Sequence, residues 1–517
     1  MPESLNHNCG IAAVYLQKQL SEYPLGGAAS LLYKMLLRQQ NRGQLSAGIT
    51  TFNPSRQQLI DTYKKIGLVN EVFSTRVPAK FENILKDYAG VKGIGHVRYA
   101  TFGADDEGYA QPFERHHNRK WKWFSFAFNG NIANYSGLKK ELELKDYHFV
   151  RNSDTELLLL LIEAGLKGDE KTQLENVFNG ISERIDGAYS LAYLNAEGEL
   201  AVLRDPLGIK PLCYTENSEI IAAASESSAL INDTDAEIKS LKPGEILFIN
   251  GSGVEVKKFA KSKRTAHCMF EWVYFANPSS TIDEVNVYEA RRRLGEELAK
   301  AEPLEAGSEG FIVVGVPDTA KPAADAFAHE LGLPSMEGLT RNRYVGRTFI
   351  EGENRARKAR EKYSVIKSII KGKKIFLIED SIVRGTTCRE LVNCIKESGA
   401  KEVHLRVSCP PIRFPCFYGI DMSSLEELIA ARHSSEEERH DPKAILSEKT
   451  IEKIRKETNA DSLAYQSVEG LVKALKLPEE SLCLACLNAG YPTPKGSELL
   501  EKCLACFGSQ NSKRIYE

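Results

Sequence analysis

One segment restricts the possible folds of this chain more than any other, the run 374–387 with the sequence KIFLIEDSIVRGTT. Residues 375–378 are a short, continuously apolar run, which is typical of a buried parallel strand. Two carboxylates, Glu379 and Asp380, follow this run directly, and residues 388–398 have the apolar spacing of a helix. The segment therefore predicts one strand–loop–helix unit of a parallel α/β sheet.

The loop between this strand and this helix has the composition of a phosphate site. It runs from Ser381 to Thr387 and turns at Gly385. Backbone N–H groups in such a loop and at the following helix N-terminus bind phosphate, and carboxylates suit ribose hydroxyls and Mg²⁺. The segment resembles the phosphoribosyl-pyrophosphate (PRPP) loop of type I phosphoribosyltransferases. That resemblance implies a set of PRPP-binding residues, namely Glu379, Asp380, Ser381, Val383, Arg384, Gly385, Thr386 and Thr387. An ordinary strand-to-helix turn is the alternative.

Length and composition set the broad class of the protein. A chain of 517 residues is long enough for two to four domains. Its 68 Lys and Arg against 70 Asp and Glu give a net charge of −2, which indicates neither a nucleic-acid nor a membrane partner. No apolar run approaches membrane-spanning length and no signal-peptide core is present, so we expect a cytoplasmic protein. Eleven cysteines without a secretory signal favour metal binding or catalysis over a disulfide framework.

The two halves of the sequence differ in their pattern. The first, residues 9–258, has short strand-like runs broken by Gly and Asn, with helical patterns at 28–39 and 155–166. This mixture predicts stacked sheets with flanking helices, an α+β arrangement. We interpret 245–250 as the last strand of this half and 257–264 as a basic linker. From residue 287 onward strand and helix patterns alternate, which predicts an α/β domain with a parallel sheet.

Several motifs in the first half occur in an order that carries a second resemblance. They are CGIAAV at 9–14, RGQ at 42–44, GHVRYAT at 95–101, FNGN at 128–131, NSDTE at 152–156 and RDPLGIKPL at 204–212. Together they resemble a class II glutamine amidotransferase domain of the N-terminal-nucleophile type, whose fold is an αββα sandwich. Each motif alone is weak, and the ordered set is specific.

This resemblance implies a glutamine-hydrolysing site. If residues 1–8 are a propeptide and are removed, Cys9 supplies both a thiol nucleophile and an α-amine that titrates near pH ~8. The resemblance makes Asn129 and the Gly130 N–H the oxyanion site. It makes Arg98 the partner of the substrate α-carboxylate and Asp154 the partner of the α-ammonium group. The alternatives are a surface ion pair for Arg98 and a plain helix cap for Asp154.

The second half completes a resemblance that covers nearly the whole chain. Its motifs are CMFEWVYFANP at 268–278, VPDTA at 316–320, NRYVGRTFI at 342–350, the PRPP loop and PPI at 410–412. With the first half they resemble the amidophosphoribosyltransferase family. This implies transfer of glutamine-derived ammonia to PRPP, giving 5-phosphoribosylamine, pyrophosphate and glutamate, the first committed step of de novo purine synthesis. It further implies PRPP contacts from Arg343 and Arg347, a Mg²⁺ site at Ser280, Glu379 and Asp380, and a homodimer or homotetramer.

The resemblance also divides the chain and assigns the cysteines. It implies a candidate propeptide at 1–8, a glutamine amidotransferase domain at 9–258, a phosphoribosyltransferase domain at 265–475 and a Cys-rich tail at 476–517. Four thiols match the [4Fe–4S] ligands of one branch of the family, those of Cys268, Cys416, Cys483 and Cys486. Because the CLAC of Cys483 and Cys486 recurs at Cys503 and Cys506, either pair suits the cluster. Zinc is the competing metal.

Three positions in the first half depart from the family pattern and leave other functions open. Asn41 stands where the family usually has His, Leu45 where it has an acidic residue, and Val97 where it has Thr. A non-catalytic relative that binds PRPP or nucleotides and regulates a partner is therefore the main alternative to an enzyme. A sugar-phosphate-aminating enzyme is a third possibility, which the PRPP loop disfavours.

Overall fold

The short strand-like runs of the first half form two antiparallel sheets, and most of these strands are buried on both faces. The computed structural model describes residues 9–99, 106–230, 236–250, 253–262, 264–304, 310–342 and 362–508. The first sheet has seven strands in the spatial order Ile238–Ser240, Cys213–Glu216, Ile220–Ala224, Gly10–Leu16, Lys92–Arg98, Ser46–Phe52 and Ile60–Ile66. The second has six in the order Gly253–Lys258, Glu245–Asn250, Leu200–Arg204, Gly187–Asn195, Phe124–Ile132 and Phe113–Arg115.

The two sheets stack face to face and helices cover both outer faces. Small and branched side chains such as Ile11, Ala13, Ala127 and Ala192 fill the space between the sheets. The outer face of the first sheet packs against Ala28–Arg38, Val69–Val72 and Pro78–Asp87. The outer face of the second packs against Tyr135–Glu143, Asp154–Gly165 and Leu174–Arg184. The result is the predicted αββα sandwich. The sequence interpretation missed the edge strand Gly253–Lys258, which takes up the first two residues of the expected linker.

The second half is the predicted α/β domain. Its parallel sheet has the order Phe311–Gly315, Lys374–Glu379, Glu402–Val407 and Ser462–Tyr465. The remaining two-residue and three-residue strands pair as Thr281–Ile282 with Val285–Asn286, Leu339–Arg341 with Tyr363–Val365, and His267–Cys268 with Leu482–Cys483. Its α-helices are Val287–Lys300, Lys321–Glu330, Lys367–Ile370, Thr386–Glu397, Ile429–His433, Glu436–His440, Glu448–Thr458, Val468–Leu475, Ala485–Asn488 and Pro494–Cys506, and Glu271–Phe275 is a π-helix. Within the described ranges, no helix is both long and apolar enough to cross a membrane.

The two halves are packed against each other through apolar and charged contacts. Ala133, Ala188 and Ile209 of the first half belong to the same apolar core as the second half. The buried Arg42 guanidinium contacts Glu271 across the boundary, with Nη2 and Oε2 2.6 Å apart. The candidate sites described below lie close to this junction.

A pair of helix glycines tests the packing of the second half. At Gly295 a Cβ would lie 2.0 Å from the Ala323 carbonyl oxygen, because two helices touch there through their backbones. We expect Gly295→Ala to destabilise the protein by about 1–3 kcal/mol. The control is Gly180→Ala, since the exposed Gly180 has nothing within 4 Å of its Cβ position and alanine favours a helix by up to about 1 kcal/mol. Thermal unfolding should show a lower midpoint for the first variant only, and an unchanged midpoint for Gly295→Ala would contradict this packing.

Candidate functional site

The first candidate site forms at one edge of the seven-stranded sheet, where the strand Gly10–Leu16 begins and its antiparallel neighbour Lys92–Arg98 ends. Cys9 immediately precedes Gly10–Leu16, and Gly10 pairs with Val97 on the adjacent strand, so Arg98 lies beside Cys9. The thiol donates to the Tyr99 carbonyl oxygen at 3.7 Å. The structure thus brings together two residues that are far apart in the sequence.

Burial and nearby charges act on the Cys9 thiol in opposite directions. Burial raises the pKa of Cys9, and the positive charges of Arg98 and Lys210 partly offset this, while Asp154 adds to the rise in pKa. Four groups from four segments therefore share one electrostatic environment. Lys210 belongs to the RDPLGIKPL motif but was not predicted as a site residue.

The second part of this site comes from the other sheet. Asn129 and Gly130 lie in Phe124–Ile132 and pair with Ser190 and Tyr189. The side-chain nitrogen Nδ2 of Asn129 is buried and has no hydrogen-bond partner among the described residues. At Gly130 a Cβ would lie 2.2 Å from a neighbouring carbonyl oxygen, so only glycine fits there. An unused amide donor beside a glycine is the arrangement expected of an oxyanion site.

Two residues that the sequence interpretation left without a role hold the Phe128 peptide next to Asn129. His96 Nε2 lies 3.1 Å from the Phe128 carbonyl oxygen, and burial lowers the pKa of His96 to about 3, so the ring is neutral and donates this bond. The Phe128 N–H donates to Gln111 Oε1 at 2.7 Å. The sequence alone does not show that His96 and Gln111 are buried, because their burial depends on how the two sheets pack.

Asp154 and Arg98 are not the surface groups of the alternative interpretation. Ser153, not Asp154, caps the helix Asp154–Gly165, since its Oγ accepts from the Glu156 N–H at 3.1 Å. Burial raises the pKa of Asp154 to about 6. The Arg98 side chain is buried and lies 5.4 Å from the ring centre of Tyr109. Arg98 is buried and Asp154 is half-buried, and the charges of both act on the Cys9 thiol.

The second candidate site lies at the end of the central parallel strand. Glu379 and Asp380 are both buried there. Asp380 accepts hydrogen bonds from the Thr319 hydroxyl and, at 2.7 Å, from the Ser381 hydroxyl, while the Cys388 thiol lies 3.8 Å from Glu379 Oε2. Burial raises the pKa of both carboxyls, and the charge of Asp380 raises that of Glu379 further. A nearby cation would therefore stabilise the ionised form of both carboxyls.

A buried arginine that was not predicted accompanies the acidic pair. Arg291 lowers the pKa of Asp380, as does Lys362. Its guanidinium donates to the carbonyl oxygens of Trp272 at 2.8 Å and Ala276 at 2.9 Å. The signal in the sequence was an arginine on the apolar face of the helix Val287–Lys300.

The predicted phosphate loop is packed against the short helix Ile429–His433. Gly385 has φ +85°, and a Cβ there would lie 2.4 Å from Ile429 Cδ1. The Arg384 guanidinium forms an ion pair with Glu427 and lies 3.8 Å from Asp421. Ser381, Thr386 and Thr387 are half-buried at the rim, and Val383 is buried. The loop is followed by a helix as predicted, but the helix Thr386–Glu397 begins two residues earlier than expected, and Arg384 is bound to acidic side chains.

Of three further predicted residues, the structure describes one, Ser280. Arg343 and Arg347 lie outside the described residues. Ser280 is fully buried and donates to Glu226 Oε2 at 2.9 Å, at the boundary between the halves. The described contacts do not join Ser280 to Glu379 or Asp380.

Four cysteines line one internal cavity. Cys268 and Cys483 are opposite each other in a parallel strand pair, and Cys416 Sγ accepts from the Tyr418 N–H at 3.4 Å. The lining is otherwise mainly apolar and consists of Cys268, Cys416, Cys483 and Cys486 with Ile209, Phe270, Tyr418, Ile420, Met422 and Ala485. Cys503 and Cys506 lie on the last helix and do not line it. Of the two CLAC pairs, the first therefore lines this cavity.

Burial raises the pKa of each of these four thiols. For Cys486 the nearby Cys416, Cys483 and Cys268 raise the pKa further, so the four sulfurs act on one another. Thiolates become stable at such a place when a cationic centre binds them. In the part of the chain that the structure describes, no three His, Cys, Asp or Glu side chains are arranged to hold a single metal ion.

Comparisons with known proteins divide the chain in the same way. A glutamine amidotransferase domain model matches residues 47–249 and a phosphoribosyl transferase domain model matches residues 282–454. The amidophosphoribosyltransferase of Methanothermobacter thermautotrophicus is 40% identical over 95% of this chain and 96% of its own length. That of Bacillus subtilis is 36% identical over 95% of each chain.

Solved structures agree with these relatives. The B. subtilis glutamine PRPP amidotransferase in complex with ADP and GMP has a TM-score of 0.79 at 35% identity, covering 94% of this chain and 97% of that one. A structure described as the allosteric regulatory enzyme of purine biosynthesis has a TM-score of 0.80 at 34% identity, covering 98% of both chains. Fold and sequence similarity thus extend over both candidate sites.

Proposed function

The chain belongs to the amidophosphoribosyltransferase family, and we propose that it hydrolyses glutamine at Cys9 and transfers the ammonia to C1 of PRPP. The products are 5-phosphoribosylamine, pyrophosphate and glutamate, so the enzyme is a pentosyltransferase that starts purine synthesis. One observation carries this proposal. A thiol site and an acidic-pair site, each in a domain with its own family match, lie in one chain whose halves share a buried junction.

The glutamine chemistry follows from the groups around Cys9. The Cys9 sulfur attacks the side-chain amide carbon, its proton passes through the α-amine to the leaving ammonia, and water then releases glutamate from the thioester. The buried Asn129 Nδ2 and the Gly130 N–H stabilise the oxyanion. Arg98 and Asp154 hold the α-carboxylate and the α-ammonium of the substrate. The α-amine is available only if residues 1–8, which lie outside the described residues, are removed.

The transfer chemistry follows from the acidic pair and its loop. The N–H groups of residues 381–387 hold the 5′-phosphate, and Glu379 and Asp380 face the ribose and Mg²⁺. Mg²⁺ fits here because burial raises the pKa of both carboxyls, and a bound cation would stabilise their ionised forms. When bound, it supplies charge that stabilises the departing pyrophosphate. Contacts from Ser280, Arg343 and Arg347 stay predictions.

The four-thiol cavity fits a [4Fe–4S] cluster. Its donors are all cysteine, its walls are mainly apolar, and the Tyr418 N–H donates to Cys416 Sγ, features that suit a buried iron–sulfur centre. Bound there, the cluster would join Cys268, Cys416 and the tail residues Cys483 and Cys486 into one unit. Its role in this proposal is to hold the tail, and zinc is the competing occupant.

Asn41, Leu45 and Val97, which depart from the family pattern, are not among the predicted catalytic or substrate-binding residues. This favours an enzyme over a regulatory relative. Asn41 Nδ2 donates to Glu226 at 2.8 Å and to the Phe275 carbonyl oxygen at 3.1 Å. Leu45 and Val97 are buried in the sheet region. The domain boundaries, the homo-oligomeric state and the cytoplasmic location stay predictions.

Two substitutions test the division of labour between the sites. Cys9→Ala removes the nucleophile, so we expect glutamine-dependent phosphoribosylamine formation to fall by at least about 10³-fold while ammonia-dependent formation persists. Asp380→Asn should lower both PRPP-dependent reactions by about 10²-fold and leave basal glutamine hydrolysis. Pyrophosphate and glutamate release report the two half-reactions, and the mature N-terminus is verified by intact mass. Glutamine-dependent activity that survives in Cys9→Ala would contradict the mechanism.

Glutamine binding should weaken below pH 6. Burial raises the pKa of Asp154 to about 6, so the carboxyl becomes protonated as the pH falls through 6 and loses its attraction for the substrate ammonium. We expect KM for glutamine to rise about tenfold for each pH unit below 6. Asp154→Asn is the control and should show a high KM that does not vary with pH. A wild-type KM that is constant between pH 5 and pH 8 would refute this role.

Metal analysis tests the occupant of the cysteine cavity. Protein purified without oxygen should contain about four irons per chain and absorb visible light, as [4Fe–4S] proteins do. Cys486→Ser should lose iron and absorbance, and the matched variant Cys506→Ser should keep both, because Cys486 lines the cavity and Cys506 does not. Zinc in place of iron, or iron retained by Cys486→Ser, would show that the assignment is wrong.

A further inference from the structure

A buried group of charges joins the two halves next to the Cys9 site. Arg42 contacts Glu226 of its own half, with Nε and Oε1 2.5 Å apart, and Glu271 of the other half, with Nη2 and Oε2 2.6 Å apart. All three side chains are almost completely buried. We call Arg42, Glu226 and Glu271 the Arg42 cluster. It does not belong to the machinery assigned to either reaction.

Polar groups from both halves complete the cluster. Glu226 accepts hydrogen bonds from Asn41 at 2.8 Å, from the Asn277 N–H at 2.9 Å and from Ser280 at 2.9 Å. Charges buried in this way are costly when one partner is removed, because the other is left uncompensated. The cluster is therefore a rigid point of the junction.

The cluster is attached directly to the segment that carries the nucleophile. Ser225, which precedes Glu226, exchanges hydrogen bonds with Ile11, since its N–H donates to the Ile11 carbonyl oxygen at 3.1 Å and its Oγ accepts from the Ile11 N–H at 3.0 Å. A Cβ on Gly10 would lie 3.4 Å from Arg42 Cδ, so the arginine stem packs against the residue after Cys9.

The residues that follow Arg42 contact the segment that carries Arg98. A Cβ on Gly43 would lie 2.5 Å from the Val97 carbonyl carbon and 2.7 Å from that of Arg98. The Leu45 N–H donates to the Arg98 carbonyl oxygen at 2.9 Å. The turn at Arg42 and Gly43 thus packs against both of the paired chain segments that carry Cys9 and Arg98.

We propose that Glu271, a residue of the transferase half, is a positioning residue of the glutamine reaction, because it holds Arg42 and thereby the spacing of Cys9 and Arg98. It touches neither the nucleophile nor the predicted substrate position. The glutamine site therefore depends on a side chain that the other half of the chain supplies. This inference rests on the proposed glutamine hydrolysis at Cys9.

The test replaces the Glu271 carboxylate with an amide of nearly the same shape, which removes its charge. In Glu271→Gln of the full chain, we expect kcat/KM for glutamine hydrolysis and the rate of Cys9 alkylation by a diazo-ketone glutamine analogue to fall together, by about 10-fold to 100-fold, as for an ångström-scale misplacement. Ammonia-dependent phosphoribosylamine formation should stay within about twofold, since that reaction does not use Cys9. A general loss of folding would lower both activities in parallel.

The matched control removes a charge from another ion pair between the halves. Asp283 contacts Arg204, with Oδ1 and Nη1 2.6 Å apart, at a place that is not attached to the Cys9 or Arg98 segments by the contacts above. Asp283→Asn should keep the alkylation rate within about twofold. An equal loss in both variants, or none in Glu271→Gln, would overturn the proposal.

A milder variant keeps the proposal testable if Glu271→Gln does not fold. Asn41→Ala removes one hydrogen bond to Glu226 without uncovering a charge, and it should lower the alkylation rate of Cys9 a few-fold without affecting the ammonia-dependent reaction. An unchanged rate would then overturn the proposal. A wild-type protein without glutamine hydrolysis would instead contradict the proposed function itself.

Discussion

The burial of paired charges between the two halves is the constraint on which the rest of the structure depends. Arg42 with Glu226 and Glu271, and Arg204 with Asp283, are removed from water at the junction. Ion pairs in such surroundings tolerate little displacement, because a separated charge would have to be solvated by an apolar interior. They define how the αββα sandwich meets the α/β domain. The shared apolar core around Ile209 then fills the space between them.

Both reactions are arranged around this junction. The π-helix Glu271–Phe275 contributes Glu271 on one side, and on the other the Trp272 carbonyl oxygen binds Arg291, which lies near Asp380. The same short element therefore contacts the surroundings of both sites. Ammonia that meets water becomes protonated and is no longer a nucleophile, so the proposed transfer requires a path between the two sites that excludes water. The cysteine cavity lies beside it, since Asn131 of the glutamine half donates to the Phe417 carbonyl oxygen at 2.7 Å.

Local sequence patterns predicted the fold class, because apolar periodicity depends on neighbours in the chain, and the family resemblance supplied the candidate site residues. The strand before Glu379 and the turn at Gly385 follow from such patterns. The sequence could not reveal Arg291, Glu226 or Glu271 as partners, since their contacts join residues far apart in the chain. Nor could it show that Ser153, rather than Asp154, caps the helix. Burial of a polar side chain is a property of the assembled fold.

The central claim is that one chain makes ammonia at Cys9 and uses it at the acidic pair. It is tested most directly with glutamine that carries ¹⁵N in its side-chain amide, in buffer that contains Mg²⁺, PRPP and excess unlabelled ammonium. The account predicts that the phosphoribosylamine formed carries mainly ¹⁵N, because the ammonia does not mix with the solvent. A product whose nitrogen has the isotopic composition of the bulk ammonium would contradict it.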